Sequence, residues 1–180
     1  MRPDEVRAPL ILTAALDPHV QQRLDALRRA HFPPERNYLN AHVTLFHAVP
    51  GAEEDAVAAA VADVTHNHDA PSVDLTGVRL LGRGVAVVLA SPELASIRIR
   101  LRSAWLHWLS PQDRGKNDLH VTVQNKVSPE AAKALHAELT AGFIRESTRA
   151  VALELWRYRG GPWEAAARFP FGGSGGIMSR

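Results

Sequence analysis

Apolar positions recur along this chain at two spacings, every second residue in some stretches and every third or fourth in others, and the two kinds of stretch take turns. Pro9 to Leu16 (PLILTAAL) is a short apolar run holding Ile and Thr and stopped by Asp17-Pro18, which predicts a buried strand. Asp17 can cap free amides and Pro18 suits a first helical turn; Val20, Leu24 and Leu27 then share a helical face until Pro33-Pro34. Tyr38 to Val49 is strand-like. Glu53 to Val64 predicts an alanine-rich helix with acids in its first turn, where the helix dipole favours them, and a polar loop with Asn67, His68, Asp69 and Pro71 follows. Ser72 to Leu80 and Val85 to Ala90 predict two strands joined around Gly82 and Gly84.

From Ser91-Pro92-Glu93 onward, Leu94, Ile97, Leu101, Trp105 and Trp108 keep helical spacing. The alternation from Ile97 to Leu101 alone fits a strand, but the longer period and the Ser-Pro start outweigh it. Pro111 to Asp118 reads as a polar loop and Leu119 to Val127 as a strand; Ser128-Pro129-Glu130 opens a helix whose apolar face is Ala132, Leu135 and Leu139. Thr148 to Tyr158 and Glu164 to Phe171 predict a hairpin around Gly160-Gly161-Pro162. The expected order is strand, helix, strand, helix, hairpin, helix, strand, helix, hairpin, an α+β arrangement. Residues 1–171 are expected to form one bilobal domain around a shared cleft, and 172–180, with its GGSGG run, a flexible tail.

The two-lobe reading rests on a repeat. His-Val-Thr followed by an apolar residue occurs at His42 to Leu45 and again at His120 to Val123, each time on a predicted strand flanked by helices. With strict alternation, His42, Thr44 and Phe46 share one face of the first strand, and Val43, Leu45 and His47 the other. In the second copy His120, Thr122, Gln124 and Lys126 share a face. If the two polar faces meet, a phosphorus centre can sit between two imidazoles. Cleavage of a phosphodiester through a ribose hydroxyl, or hydrolysis of the cyclic phosphate that results, needs one proton removed and another delivered; histidine serves both roles near neutral pH. Threonine hydroxyls can donate to the non-bridging oxygens. The scheme requires no metal.

Phe46, Gln124 and Lys126 are candidate substrate-binding residues by their face. For Phe46 core packing is the alternative to base stacking, and for Lys126 a strand end is the alternative to phosphate binding. His47, on the opposite face, reads as structural. His66 and His68 sit in a polar loop without a third ligand at metal-site spacing, and His107 and His136 fall on predicted helices. Walker, dinucleotide-binding and Gly-x-Ser-x-Gly signatures are absent.

Composition narrows the classes. At 180 residues and 46% hydrophobic content the chain can build a substantial core. It has no cysteine, so thiol nucleophiles and disulfides are excluded. No run of about 18 apolar residues is present to span a bilayer, and the acidic start is unlike a secretory signal; a soluble cytoplasmic protein without a membrane partner is expected. Net charge is only +2, yet Arg79, Arg83, Arg98, Arg100, Arg102, Arg114 and Lys116 face only Glu93 and Asp113 in their stretch. That stretch is either a field for anionic ligands or a solvated face.

These residues resemble the 2H phosphoesterase superfamily, which includes RNA 2′,3′-cyclic phosphodiesterases, also called 2′-5′ RNA ligases. The resemblance runs from PLILTAALDP through HVTLFH and HVTVQNKV to YRGGPWEAAARFPF. It implies a bilobal fold with a pseudo-two-fold axis, antiparallel strands walling a central cleft, helices outside, and neither metal nor other cofactor. It implies His42 and His120 as the acid/base pair and Thr44 and Thr122 as phosphate donors, acting on an RNA end or small nucleotide, with no protein partner. The resemblance leaves open which of the two is the base; for hydrolysis, His120 is expected to activate water and His42 to protonate the leaving oxygen, with the roles exchanged in the reverse reaction. Many relatives carry an arginine shortly after the second motif, where this chain has Gln124, Asn125 and Lys126; lysine offers a point charge without bidentate geometry. The competing expectations are a nucleotide- or RNA-binding protein that keeps the cleft without catalysis, and a purely structural interaction module.

Overall fold

The computed structural model describes residues 7–116 and 118–172. Most of the tail expected at 172–180 therefore lies outside the described residues. The first strand, β1 (Leu10–Leu16), is buried along its whole length. Helix α1 (Pro18–His31) starts where Asp17 accepts a hydrogen bond from His19 N at 3.0 Å, and the chain turns extended at Phe32, ahead of the two prolines. A 3₁₀ turn, Pro34–Arg36, then carries the chain to β2 (Val43–Val49), which begins five residues later than the apolar pattern predicts. Helix α2 (Glu54–His66) follows, then the hairpin β3 (Ser72–Leu80) and β4 (Val85–Ala90).

Helix α3 (Pro92–Trp105) is capped by the Ser91 hydroxyl, which accepts from Leu94 N, so the Ser-Pro signal decides correctly against the local strand alternation. Pro111–Arg114 is a short helix, α4, and not the loop expected; Ser110-Pro111 repeats the same cap, with the Ser110 hydroxyl accepting from Asp113 N. The second motif strand is β5 (His120–Gln124), shorter than predicted because Lys126 adopts a left-handed φ of 61°. Helix α5 (Pro129–Ala141) starts from a Ser128 cap, and β6 (Glu146–Arg157) and β7 (Glu164–Pro170) complete the chain.

All strand pairs are antiparallel, in the order β2-β1-β6-β3-β4-β5, with β7 on β6. The long β6 joins the halves: residues 146–149 pair with β3, and the stretch from Ala150 to Arg157 lies between β1 and β7. One continuous apolar cluster fills the structure, from Leu10, Leu12 and Leu16 on β1 through Val57, Val61 and Val64 on α2 to Leu94, Ile97, Leu101 and Trp105 on α3. Phe46 and Trp105 meet edge-on at 5.1 Å, a pairing that adds about 0.5–1.5 kcal/mol beyond area burial. Among the described residues no helix is long and apolar enough to cross a membrane.

Candidate active site

Each motif histidine is fixed by its own backbone. His42 Nδ1 donates to Asn40 O at 2.8 Å and His120 Nδ1 donates to Asp118 O at 2.8 Å, in both cases the carbonyl two residues back. A carbonyl only accepts, so both rings carry their neutral-state proton on Nδ1 and leave Nε2 as the reactive nitrogen. His42, Thr44, His120 and Thr122 line one cavity of about 200 Å³, joined there by Ile11, His47 and Trp163. The two copies, 78 positions apart in the sequence, thus meet at one place.

The copies also share a defect in their pairing. On β2, Thr44 lies opposite Thr13 but Phe46, not Leu45, lies opposite Leu12, so Leu45 is an extra, bulged residue. On β5, Thr122 lies opposite Ala86 and Gln124 opposite Val85, so Val123 is the extra residue. A bulge reverses the alternation of everything beyond it. Just beyond Thr44 and Thr122 the faces read from strict alternation are therefore inverted, and on β2 a second register shift follows between Phe46 and Val49, in the stretch that holds His47 and Ala48.

Three expectations change accordingly. Phe46 is fully buried against Trp105 and is a core residue, not a substrate contact. Gln124, expected in the cleft, is turned to the side of Val85 and is only 6% exposed, its Oε1 buried without a hydrogen-bond partner. His47, expected to be structural on the far face, lines the cavity with the motif residues. Lys126 does stand near the site: with Arg28, Arg36, Tyr38, His42, Thr122 and Asn125 it lines an adjoining basic pocket of about 310 Å³.

Each motif strand is held from behind by a buried arginine. Arg28 of α1 donates to Thr122 O at 2.8 Å and to Leu39 O and Asn37 Oδ1. Arg98 of α3 donates to the carbonyl of the bulged Leu45 at 2.9 Å, and to Gly115 O and Asp113 O. Each therefore ties a motif strand to neighbouring segments through backbone carbonyls. The arginine-rich stretch divides: Arg98 is this internal brace, Arg100 pairs with Asp63 on the surface, and Arg79 reaches the site, its Nη2 3.3 Å from His120 Nδ1. With that nitrogen already donating to Asp118 O, two donors face each other, so Arg79 contributes charge and not a bond to the ring.

Electrostatics set the histidines apart. Burial pushes the His42 pKa down to about 4; its bond to Asn40 O opposes this, while Arg28, His120 and His47 add to the fall. His42 is thus neutral in the empty site over the physiological range. Trp163, delivered by the β6–β7 hairpin, tilts over its ring at 4.7 Å. Trp163 and Trp156 also line a pocket of about 510 Å³ on the other side of His42, with Thr13, Tyr38, Asn40 and Arg168. Neither tryptophan stands out in the sequence as a site residue; only the nearby Gly160-Gly161-Pro162 turn marks the place. Among the described residues no group of three or more His, Asp or Glu is placed to hold a metal ion.

Both His-x-Thr copies thus meet at one cavity of an antiparallel α+β fold, and comparison with known proteins identifies its family. The 2′-5′ RNA ligase superfamily matches over residues 16–162, and the chain belongs to that family, which supports phosphodiesterase or ligase activity. The fold is that of Escherichia coli LigT, solved with NADP+ (18% identity, TM-score 0.60, 92% of this chain and 98% of that one). It is equally that of TT0787 of Thermus thermophilus (15% identity, TM-score 0.63, 91% and 97%). LigT has also been solved with 3′-AMP (19% identity, TM-score 0.55, 92% and 98%). Comparison with curated proteins returned no match.

Proposed function

We propose that this protein is a metal-independent phosphodiesterase that hydrolyses, or reversibly forms, a cyclic or 2′-linked phosphodiester at an RNA end or in a small nucleotide. The observation that carries this reading is the convergence of both His-x-Thr pairs on one small cavity, with both rings presenting Nε2. The phosphoryl group sits between the rings, its non-bridging oxygens on the Thr44 and Thr122 hydroxyls. The tryptophan-lined pocket beside His42 takes a base, and the basic pocket with Arg36 and Lys126 takes the neighbouring backbone. The nucleotide complexes of LigT are consistent with a ligand of this kind.

The roles follow from protonation. A ring with a pKa of about 4 enters the reaction unprotonated, which fits a base and not an acid. In hydrolysis His42 therefore takes the proton of the attacking water and His120 gives one to the leaving ribose oxygen, the reverse of the order expected from the sequence. A phosphate anion beside His42 raises its basicity on binding, toward the range where a base is effective.

The test is turnover of a panel of nucleoside 2′,3′-cyclic phosphates and 2′-5′ dinucleotides by wild type, His42→Ala and His120→Ala. Each variant should lose about 10²- to 10⁴-fold in rate, and wild-type turnover should survive EDTA. Full activity in both variants would refute the reading. Tight binding of a cyclic nucleotide with no product, even from the wild type, would make the protein a binding module instead.

A further inference from the structure

His47 is the cavity residue that the paired motif leaves unused. It lies between two register shifts of β2, the bulge at Leu45 and a second before Val49, and it lines the same cavity as His42 and His120. Its charge also bears on His42, whose basicity it lowers, so the two rings face a common space. In the second copy the residue in the equivalent place, three beyond the threonine, is Asn125. The two ends of the pseudo-symmetric site therefore differ.

The ring of His47 is oriented by a built support. Its Nδ1 donates to Asp113 Oδ1 at 3.0 Å, and Asp113 is fully buried on α4. The same carboxylate accepts from His47 N at 2.9 and 3.0 Å and from Ala48 N at 2.9 Å. Burial pushes the Asp113 carboxyl up, but the hydrogen bonds from His47 and Ala48 outweigh it and hold its pKa below the ordinary value. An ionised carboxylate only accepts, so His47 carries its proton on Nδ1 and turns Nε2 away from Asp113. Arg98 ties the frame together, donating to both Leu45 O and Asp113 O. The ring itself stays 41% exposed, so this support fixes its orientation and leaves Nε2 open to a ligand.

We infer that His47 is a third phosphate ligand, held by Asp113 as its positioning residue, and that it selects phosphomonoesters. The inference rests on the phosphodiester reading above and deepens it. A cyclic or linear phosphodiester has two non-bridging oxygens, which the two threonine hydroxyls match. A phosphomonoester has a third terminal oxygen and a second negative charge, and the Nε2–H of an imidazolium at His47 is the donor for it. The residue thus acts on the product of hydrolysis, which is also the substrate of the reverse reaction.

The experiment titrates inorganic phosphate and a nucleoside 2′-monophosphate into wild type and His47→Asn by calorimetry, with ¹⁵N spectra of the histidine rings. Asparagine keeps an N–H for Asp113 but has nothing in the place of Nε2, so it separates support from ligand contact. Expected are a fall in affinity for both phosphates of about tenfold, as for loss of one charge-assisted hydrogen bond, and movement of the wild-type His47 Nε2 resonance on adding phosphate. The Michaelis constant for a cyclic phosphate should change less than the monoester affinity. Equal phosphate binding by wild type and His47→Asn, or a His47 resonance that does not respond, overturns the inference. Turnover by the His42 and His120 variants is read separately and decides the phosphodiester reading alone.

Discussion

Replacing Arg98 by methionine tests whether the bulge is actively held. Arg98 is 6% exposed and gives three hydrogen bonds, to Leu45 O at 2.9 Å, Gly115 O at 3.1 Å and Asp113 O at 2.8 Å. Hydrogen bonds to a charged group contribute about 1.5–3 kcal/mol each, so three taken singly amount to roughly 5–9 kcal/mol. Two effects reduce that figure. Burial of the guanidinium is itself unfavourable, visible in its lowered pKa, and methionine keeps an apolar contact with the Phe46 ring, over which the guanidinium now lies at 4.9 Å. What remains, for the loss of three bonds from a buried charged group, is about 3–5 kcal/mol, a large part of the typical 5–15 kcal/mol of a folded chain. At about 2–4 °C per kcal/mol for this size, the melting temperature should fall by roughly 10 °C. Urea unfolding followed by tryptophan fluorescence measures the loss, and hydrogen exchange at the His47 and Ala48 amides reports whether the frame loosens first. Arg98→Lys, with charge but no fork, should fall between the two. A methionine variant within about 1 kcal/mol of wild type, with His47 still protected, would refute the idea that this side chain maintains the bulge.

Other expectations are independent of it. Because the folded His42 pKa of about 4 lies below the ordinary value of 6.5, protons favour the unfolded chain; stability is lost as pH falls from about 6.5 toward 4, then levels off. Between pH 7 and 5, wild type should therefore lose more stability in urea titrations than His42→Asn, and the acid limb of kcat/KM should fall nearer pH 4 than 6.5 if His42 is the base. Gln124→Leu should leave KM unchanged and raise stability by about 1 kcal/mol, since it removes a buried amide oxygen without a partner; a raised KM would return Gln124 to the cleft. Gly84→Ala should destabilise by about 1–3 kcal/mol, because a Cβ there would run into the Gln124 carbonyl oxygen, whereas Gly161→Ala, with open space around it, should be neutral.

Much of the architecture is legible in the sequence because its signals are local. Ser-Pro and Asp-Pro pairs mark helix starts at Asp17, Ser91 and Ser128, and the pair at Ser110 carries the same meaning although its helix is too short to show periodicity. The two His-x-Thr copies point to one site because residues i and i+2 share a face on any unbroken strand. What lies past them depends on interstrand pairing. The bulged residues are Leu45 and Val123, neither a glycine, so nothing in the chain announces where alternation breaks. Phe46 and Gln124 are misplaced for that reason, and His47 for the same reason together with a second register shift before Val49. Arg28, Arg98 and Trp163 act through contacts distant in sequence, and Lys126 leaves the strand by a backbone turn that lysine does not advertise.

The position of β6 has a consequence for how the molecule comes into being. Its two ends complete different halves of the sheet, and it emerges in synthesis after both motif strands. Thr13 and Trp156, which meet across β1 and β6, are 143 residues apart. Until that strand arrives β1 lacks its central neighbour, and the hairpin of β3 and β4 has an open edge. Nucleation by such distant pairings is slow, and the waiting edges invite association with other chains. The histidines are thus brought together by a segment made after both of them, so a nascent chain stalled before residue 146 should bind chaperones and no phosphate.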